Sequence, residues 1–115
     1  MTVDLTSDRP QQRQLKWGLP EERLAYRFAK PFQQELGRLH AVGSVLRAKR
    51  ARGFNVSAEL RNHYSAIAGQ AAAFGAAKQD LQADVATHSL LRDLQRSYAT
   101  ALADTSEHLE RETDA

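Results

Sequence analysis

The sequence predicts an all-α fold: a small bundle, or antiparallel helical hairpin, of three principal helices. Three observations predict it. Ala, Leu, Gln, Arg and Glu dominate a chain of 115 residues that holds only three prolines and six glycines, and these are strong helix formers. No Asn-Gly or Asp-Gly pair marks a tight hairpin. Apolar residues recur every three or four positions, the period of one helix face, instead of alternating as in a strand.

Residues 1–18 are polar, contain Pro10 and lack a helical apolar stripe, so they read as a flexible N-terminal arm. Trp17 and Leu19, near its end, are placed to dock onto the helical domain. Pro20 suits a first helical position, and Glu21 and Glu22 suit the positive end of the helix dipole. A first helix is predicted over 20–52, kinked at Pro31. There the ring removes a backbone hydrogen bond and crowds the preceding turn, at about 3 kcal/mol. The simplest pattern is a short helix at 20–30 and a second segment over 31–52 carrying the stripe Phe32, Leu36, Leu39, Gly43 and Leu46. Gly53 ends it.

Asn55 or Ser57 caps the next helix, with Glu59 in its first turn. One helix from there to residue 112 would be about 85 Å long, far beyond a compact domain with a radius of gyration of about 13 Å. A break is therefore expected. Leu60, Tyr64, Ile67, Ala71, Phe74, Lys78, Leu81 and Val85 are in a coiled-coil-like 4-3 spacing. The stripe resumes one residue out of phase at Leu91, Leu94, Tyr98 and Ala101, a rotation of about 100°, although Leu102 and Leu109 keep the older register. With Thr87 and Ser89 as caps, the prediction is helices at 56–86 and 88–112 and a frayed tail at 113–115. The single helical domain spans 19–112.

Residues 64–77, "YSAIAGQAAAFGAA", are unusual: nine of fourteen are Ala or Gly. Ala68, Ala72 and Ala76 recur at four-residue spacing, as do Gly69 and Ala73. This predicts close approach of another helix, with Ile67 and Phe74 as knobs and Gly37 or Gly43 on the facing surface.

Composition limits the function. The 42% hydrophobic and 26% charged content belongs to an ordinary soluble globular domain. The absence of Cys excludes disulfides, thiolate zinc sites and a cysteine nucleophile. No apolar signal-peptide core opens the chain and no run approaches the ~18 apolar residues of a membrane span, so a cytoplasmic protein is expected. Twelve Arg against four Lys, with abundant Ala, suggests a GC-rich bacterial gene. Residues 1–53 carry eleven basic and five acidic groups, and residues 54–115 carry five and nine. The halves, at +6 and −4, are suited to pair within one molecule or between copies.

Three carboxylate–histidine pairs stand four residues apart: Glu59 with His63, Asp84 with His88, and Asp104 with His108. Imidazole and carboxylate suit zinc, iron or manganese. The Glu-x-x-His motif of di-iron bundles is missing, however, as is His-Glu-x-x-His. Solvated helical pairs are expected, with no metal and no cofactor. No Gly-rich phosphate loop and no Gly-x-Ser-x-Gly occurs, so no enzyme is expected. Arg23, Arg27, Lys30 and Arg38 advance by four, three and eight and share a face if Pro31 bends the helix only slightly, and Arg47, Lys49, Arg50 and Arg52 cluster at the first helix's end. Such groups contact phosphates or an anionic membrane surface, or simply complement the helix dipole.

Eight aromatics are few for a self-sufficient core, and burying leftover apolar surface favours association. The expected function is a non-enzymatic helical assembly or adaptor protein. It acts through homo-oligomerisation or binding of a larger protein partner, with Trp17, Phe28, Phe32, Ile67 and Phe74 as anchors. The alternative is a nucleic-acid-binding accessory protein using Arg47, Lys49, Arg50 and Arg52. An apolar stripe serves a core or an interface equally well, and sequence does not separate the two.

Overall fold

A computed structural model of the chain describes residues 20–114; the predicted arm and Trp17 lie outside the described residues. Four helices come in order: α1 (Pro20–Ala51), α2 (Ser57–Lys78), the single turn α3 (Ala83–Ala86) and α4 (Ser89–Asp114). There is no strand among the described residues. The three long helices pack side by side as an all-α bundle, with α2 contacting both α1 and α4, and α3 lying against α1. Among the described residues no helix is long and apolar enough to cross a membrane.

α1 runs through Pro31 as one helix of 32 residues, so the predicted division into 20–30 and 31–52 does not occur. Pro31 cannot donate to the Arg27 carbonyl, but both residues are exposed, so the orphaned acceptor is open to solvent, which costs far less than burying it. Ala25, Ala29, Phe28 and Phe32, on the inner side of the helix, pack in or against the core on both sides of the proline, holding the helix in register through it. At the other end Gly53 adopts φ +90°, the left-handed conformation that ends helices. The Gly53 N–H donates to the Arg50 carbonyl at 2.9 Å, and the Phe54 N–H to the Lys49 carbonyl at 3.1 Å. The Asn55 side chain then accepts the Ser57 N–H at 3.0 Å, but the cap position is Val56, which makes no side-chain cap bond, so neither predicted residue caps α2.

α2 ends at Lys78, eight residues short of the predicted 86. Beyond it Gln79, Asp80, Gln82, Ala83 and Asp84 are exposed, leaving only Leu81 and Val85 to bury. The chain leaves the helix there although Leu81 and Val85 continue the seam, and α3 seats Val85 in the core. The start of α4 also differs from expectation. His88, not Thr87 or Ser89, caps it: its Nδ1 accepts the Leu90 N–H at 3.1 Å, and its carbonyl accepts the Leu91 N–H at 3.0 Å. Thr87 instead donates back to the Ala83 carbonyl at 2.8 Å.

The core has two parts. The larger gathers Leu36, Leu39, Ile67, Phe74, Leu91, Leu94 and Tyr98 with Ala25, Ala29, Val85 and Ala101. The smaller, at the α1–α2 turn, gathers Leu46, Val56 and Leu60, with Leu109 against it. Full burial of each Leu, Ile, Val or Phe among them stabilises by about 1.5–3 kcal/mol, and of each Ala by less. Between the two lie a buried glycine, Gly43, and two buried polar residues, His63 and Thr105.

The Ala/Gly stretch takes the reverse of its predicted role. Gly69, Ala72, Ala73 and Ala76 are exposed, and a Cβ added at Gly69, Gly75 or Gly37 would meet nothing within 4 Å. Ile67 and Phe74 do point inward, but the small residues opposite them face solvent. Gly43 alone among the glycines proposed for close approach has it: a Cβ there would stand 3.0 Å from Nε2 of His63.

Candidate functional site

The predicted partner anchors separate into three groups. Phe74 and Ile67 are each 1% exposed, in the chain's own core, and so offer no surface to a partner. Phe28 and Phe32 are half-buried beside them. The Phe74 ring centroid lies 5.8 Å from Phe28, 5.3 Å from Phe32 and 5.6 Å from Tyr98, and such tilted and edge-on contacts suit aromatic quadrupoles. The Tyr98 hydroxyl donates to the Phe32 carbonyl at 3.4 Å. Lys78, the polar exception in the apolar seam, lays its stem over this cluster: Nζ is 5.9 Å from the Phe74 centroid and donates to Gln95 Oε1 at 2.7 Å. Trp17 lies outside the described residues.

The basic run at the end of α1 braces the bundle. Lys49 pairs with Glu59 of α2 at 3.5 Å, and Arg47 with Asp104 of α4 at 3.6 Å. Arg50 donates to His108 Nδ1 at 3.0 Å. Because a guanidinium only donates, His108 Nδ1 is the acceptor and the ring proton sits on Nε2, which faces Asp104 at 3.9 Å. Arg52 is exposed. Farther up α1, Arg38 is held by Glu35 one turn away, and that bond keeps the Glu35 carboxyl below its ordinary pKa. The basic N-terminal half and the acidic C-terminal half are thus joined within one chain.

Above the polar layer α1 and α4 open into a groove of about 670 Å³. His63 and Ile67 of α2 form its floor, His40, Gly43, Ser44 and Arg47 one wall, and Asp93, Arg96, Ser97, Thr100 and Asp104 the other. His63 is 7% exposed, and its Nδ1 is buried without a hydrogen-bond partner. Burial, with Arg47 and His40 adding to it, holds His63 below its ordinary pKa. Thr105 at the same level satisfies its hydroxyl on the Ala101 carbonyl at 2.8 Å. Arg47 Nη2 donates to Ser44 Oγ at 3.2 Å, which steadies the guanidinium over Gly43.

The carboxylate–histidine pairs take three separate roles. His63 is buried while Glu59 turns to Lys49; His88 caps α4; His108 bridges Arg50 and Asp104. Among the described residues no group of three His, Cys, Asp or Glu side chains is placed to hold a metal ion. The groove escapes a reading of the sequence because its parts are individually common. Gly43 is the one visible signal, as the single residue without a side chain in the α1 stripe. His63, adjacent to the seam residue Tyr64, carries no mark of burial. The chain matches no known protein family, and no curated protein or solved structure matches it.

Proposed function

We propose that this chain is a non-enzymatic helical assembly or adaptor protein, which associates with a second copy of itself, or with a helix of a larger protein, through the outer face of α2. The observation that carries this reading is the exposed small-residue face. Ser65, Gly69, Ala72, Ala73 and Ala76 fall on one side of α2, opposite Leu60, His63, Ile67 and Phe74. A face of Ala and Gly loses almost no side-chain entropy when covered and admits a second helix at the short end of the usual 8–10 Å interaxial range. It is also self-complementary, as a twofold interface requires. Exposed apolar groups support the reading: Tyr64 on the same helix, Phe54 in the α1–α2 turn and Val42 and Val45 on α1. The nucleic-acid alternative draws less support, because Arg47, Lys49 and Arg50 are engaged by neighbouring helices.

Light scattering after gel filtration tests the proposal. The native chain is expected at a multiple of 12.8 kDa, unchanged by high salt because the interface is apolar. Ala72→Arg and Ala73→Glu, both at exposed positions, are expected to return it to the single-chain mass without unfolding it. A native protein of single-chain mass at every concentration, or variants of unaltered multimeric mass, would overturn self-association through α2.

A further inference from the structure

We propose that the groove between α1 and α4 binds a small anionic ligand, through a carboxylate or phosphate group seated over Gly43 where the side chains of Arg47 and His63 converge. The missing Cβ of Gly43 marks the place. From that point Arg47 Nη1 is 3.3 Å away and His63 Nε2 is 3.0 Å away. An oxygen cannot occupy the point itself, about 1.5 Å from the backbone, but just outward of it, in the groove, it meets both nitrogens at hydrogen-bonding distance. Any other residue at position 43 would fill the notch.

Both nitrogens present donors. Arg47 is a permanent cation, steadied by Ser44. His63 Nδ1 is buried with no partner, and a buried N–H left without an acceptor is costly. The ring proton therefore rests on Nε2, facing the groove. Arg47 has spare capacity, because its contact with Asp104 is a single 3.6 Å approach and not a bidentate pair. Arg47 and His40 from α1 are the charged or titratable groups that act on His63, while Asp93, Arg96 and Asp104 line the α4 wall of the same groove. An anion over Gly43 offsets the Arg47 charge beside the imidazole and competes with Asp104 for the guanidinium. The groove's volume of about 670 Å³ falls in the range of sites for small molecules, with Ile67 and Ala101 as apolar wall for a ligand's carbon skeleton. This site is on the other side of α2 from the small-residue face and is independent of assembly there.

The test is a titration of the full chain with inorganic phosphate and, separately, acetate, monitored by the imidazole proton resonances at about pH 7. Four histidines are present, and His88, which caps α4, is an internal control. The expected result is a saturable shift of the His63 signal with His88 unmoved; the probe that binds more tightly identifies the ligand class. Arg47→Gln is expected to weaken binding by about tenfold, the worth of one charge-assisted hydrogen bond. Asp104→Asn, which removes the competing carboxylate, is expected to tighten it several-fold. A folding defect does not produce the second effect. No saturable His63 response to either probe by about 100 mM, far weaker than a working site, or affinities unchanged in both variants, would overturn the proposal.

Discussion

Phe74→Ala removes the one ring that touches three others, from both neighbouring helices, at a position 1% exposed. Truncating a buried Phe to Ala costs about 3–5 kcal/mol. Contacts to Phe28, Phe32 and Tyr98 at 5.3–5.8 Å place this site in the upper half of that range, since each well-oriented aromatic pair adds about 0.5–1.5 kcal/mol beyond its buried area. A domain of this size has a total stability of about 5–15 kcal/mol. The loss, about 4–5 kcal/mol, therefore takes a quarter or more of it and lowers Tm by roughly 16–40 °C at the usual 4–8 °C per kcal/mol. Urea unfolding monitored by circular dichroism measures it as a drop in midpoint at unchanged slope. The effect is independent of protein concentration, which separates a core ring from an interface ring. Phe74→Leu, which keeps most of the volume, is expected to lose less. A loss below about 1 kcal/mol for the Ala variant would refute the placement of Phe74 in the core.

Three further outcomes are expected. His63 is held below its ordinary pKa of 6.5 by burial, then by Arg47 and His40, so the native state prefers it neutral and the unfolded chain takes up the proton first. Its contribution is whole above about pH 6.5 and is lost as pH falls below that value. His63→Leu should therefore flatten the fall in urea midpoint between about pH 7.5 and 5, and an unaltered fall would contradict the assignment. Gly43→Val places carbon within 3.0 Å of His63 Nε2 and 3.3 Å of Arg47 Nη1 and is expected to cost about 1–3 kcal/mol. Adding His63→Ala should recover part of this in a double-mutant cycle, whereas simple additivity would mean the two do not touch. Gly53→Ala is expected to cost about 1–2 kcal/mol from backbone strain alone, because φ is +90° and a Cβ meets nothing within 4 Å; thermal unfolding reads it, and a neutral result would show the turn to be of another type.

How far the sequence carried the fold depended on whether a signal was local. The stripe Leu36, Leu39, Gly43 and Leu46 on α1, and Leu91, Leu94, Tyr98 and Ala101 on α4, are buried as their spacing indicates. Gly53 and Asn55 do what their backbone and hydrogen-bonding chemistry favours. The positions that differ from expectation depend on tertiary context. Pro31 is tolerated at an exposed position, where the Arg27 carbonyl it leaves without a donor is open to solvent, which no local rule records. Burying His63 in place of Tyr64 depends on the space Gly43 leaves on another helix. Whether Ala and Gly line a contact or a free surface depends on which side of α2 its neighbours occupy. The groove was illegible for the same reason, since it is assembled from single residues of three helices, each ordinary in its own segment. The charge asymmetry was legible, and Arg47–Asp104 and Lys49–Glu59 show it satisfied within the chain.

The polar layer of Gly43, His63 and Thr105 also divides the molecule's cooperativity. The larger apolar cluster draws on all four helices, while the smaller one, among the described residues, gathers Leu46, Val56 and Leu60 with Leu109 against it. Openings of the α1–α2 turn, with the C-terminal part of α4, then cost less than global unfolding. Backbone amides around Leu46, Leu60 and Leu109 should exchange with solvent deuterium ahead of those around Phe74 and Tyr98. On that expectation one end of the bundle loosens first, and His63 and Arg47 sit at the boundary between the two parts.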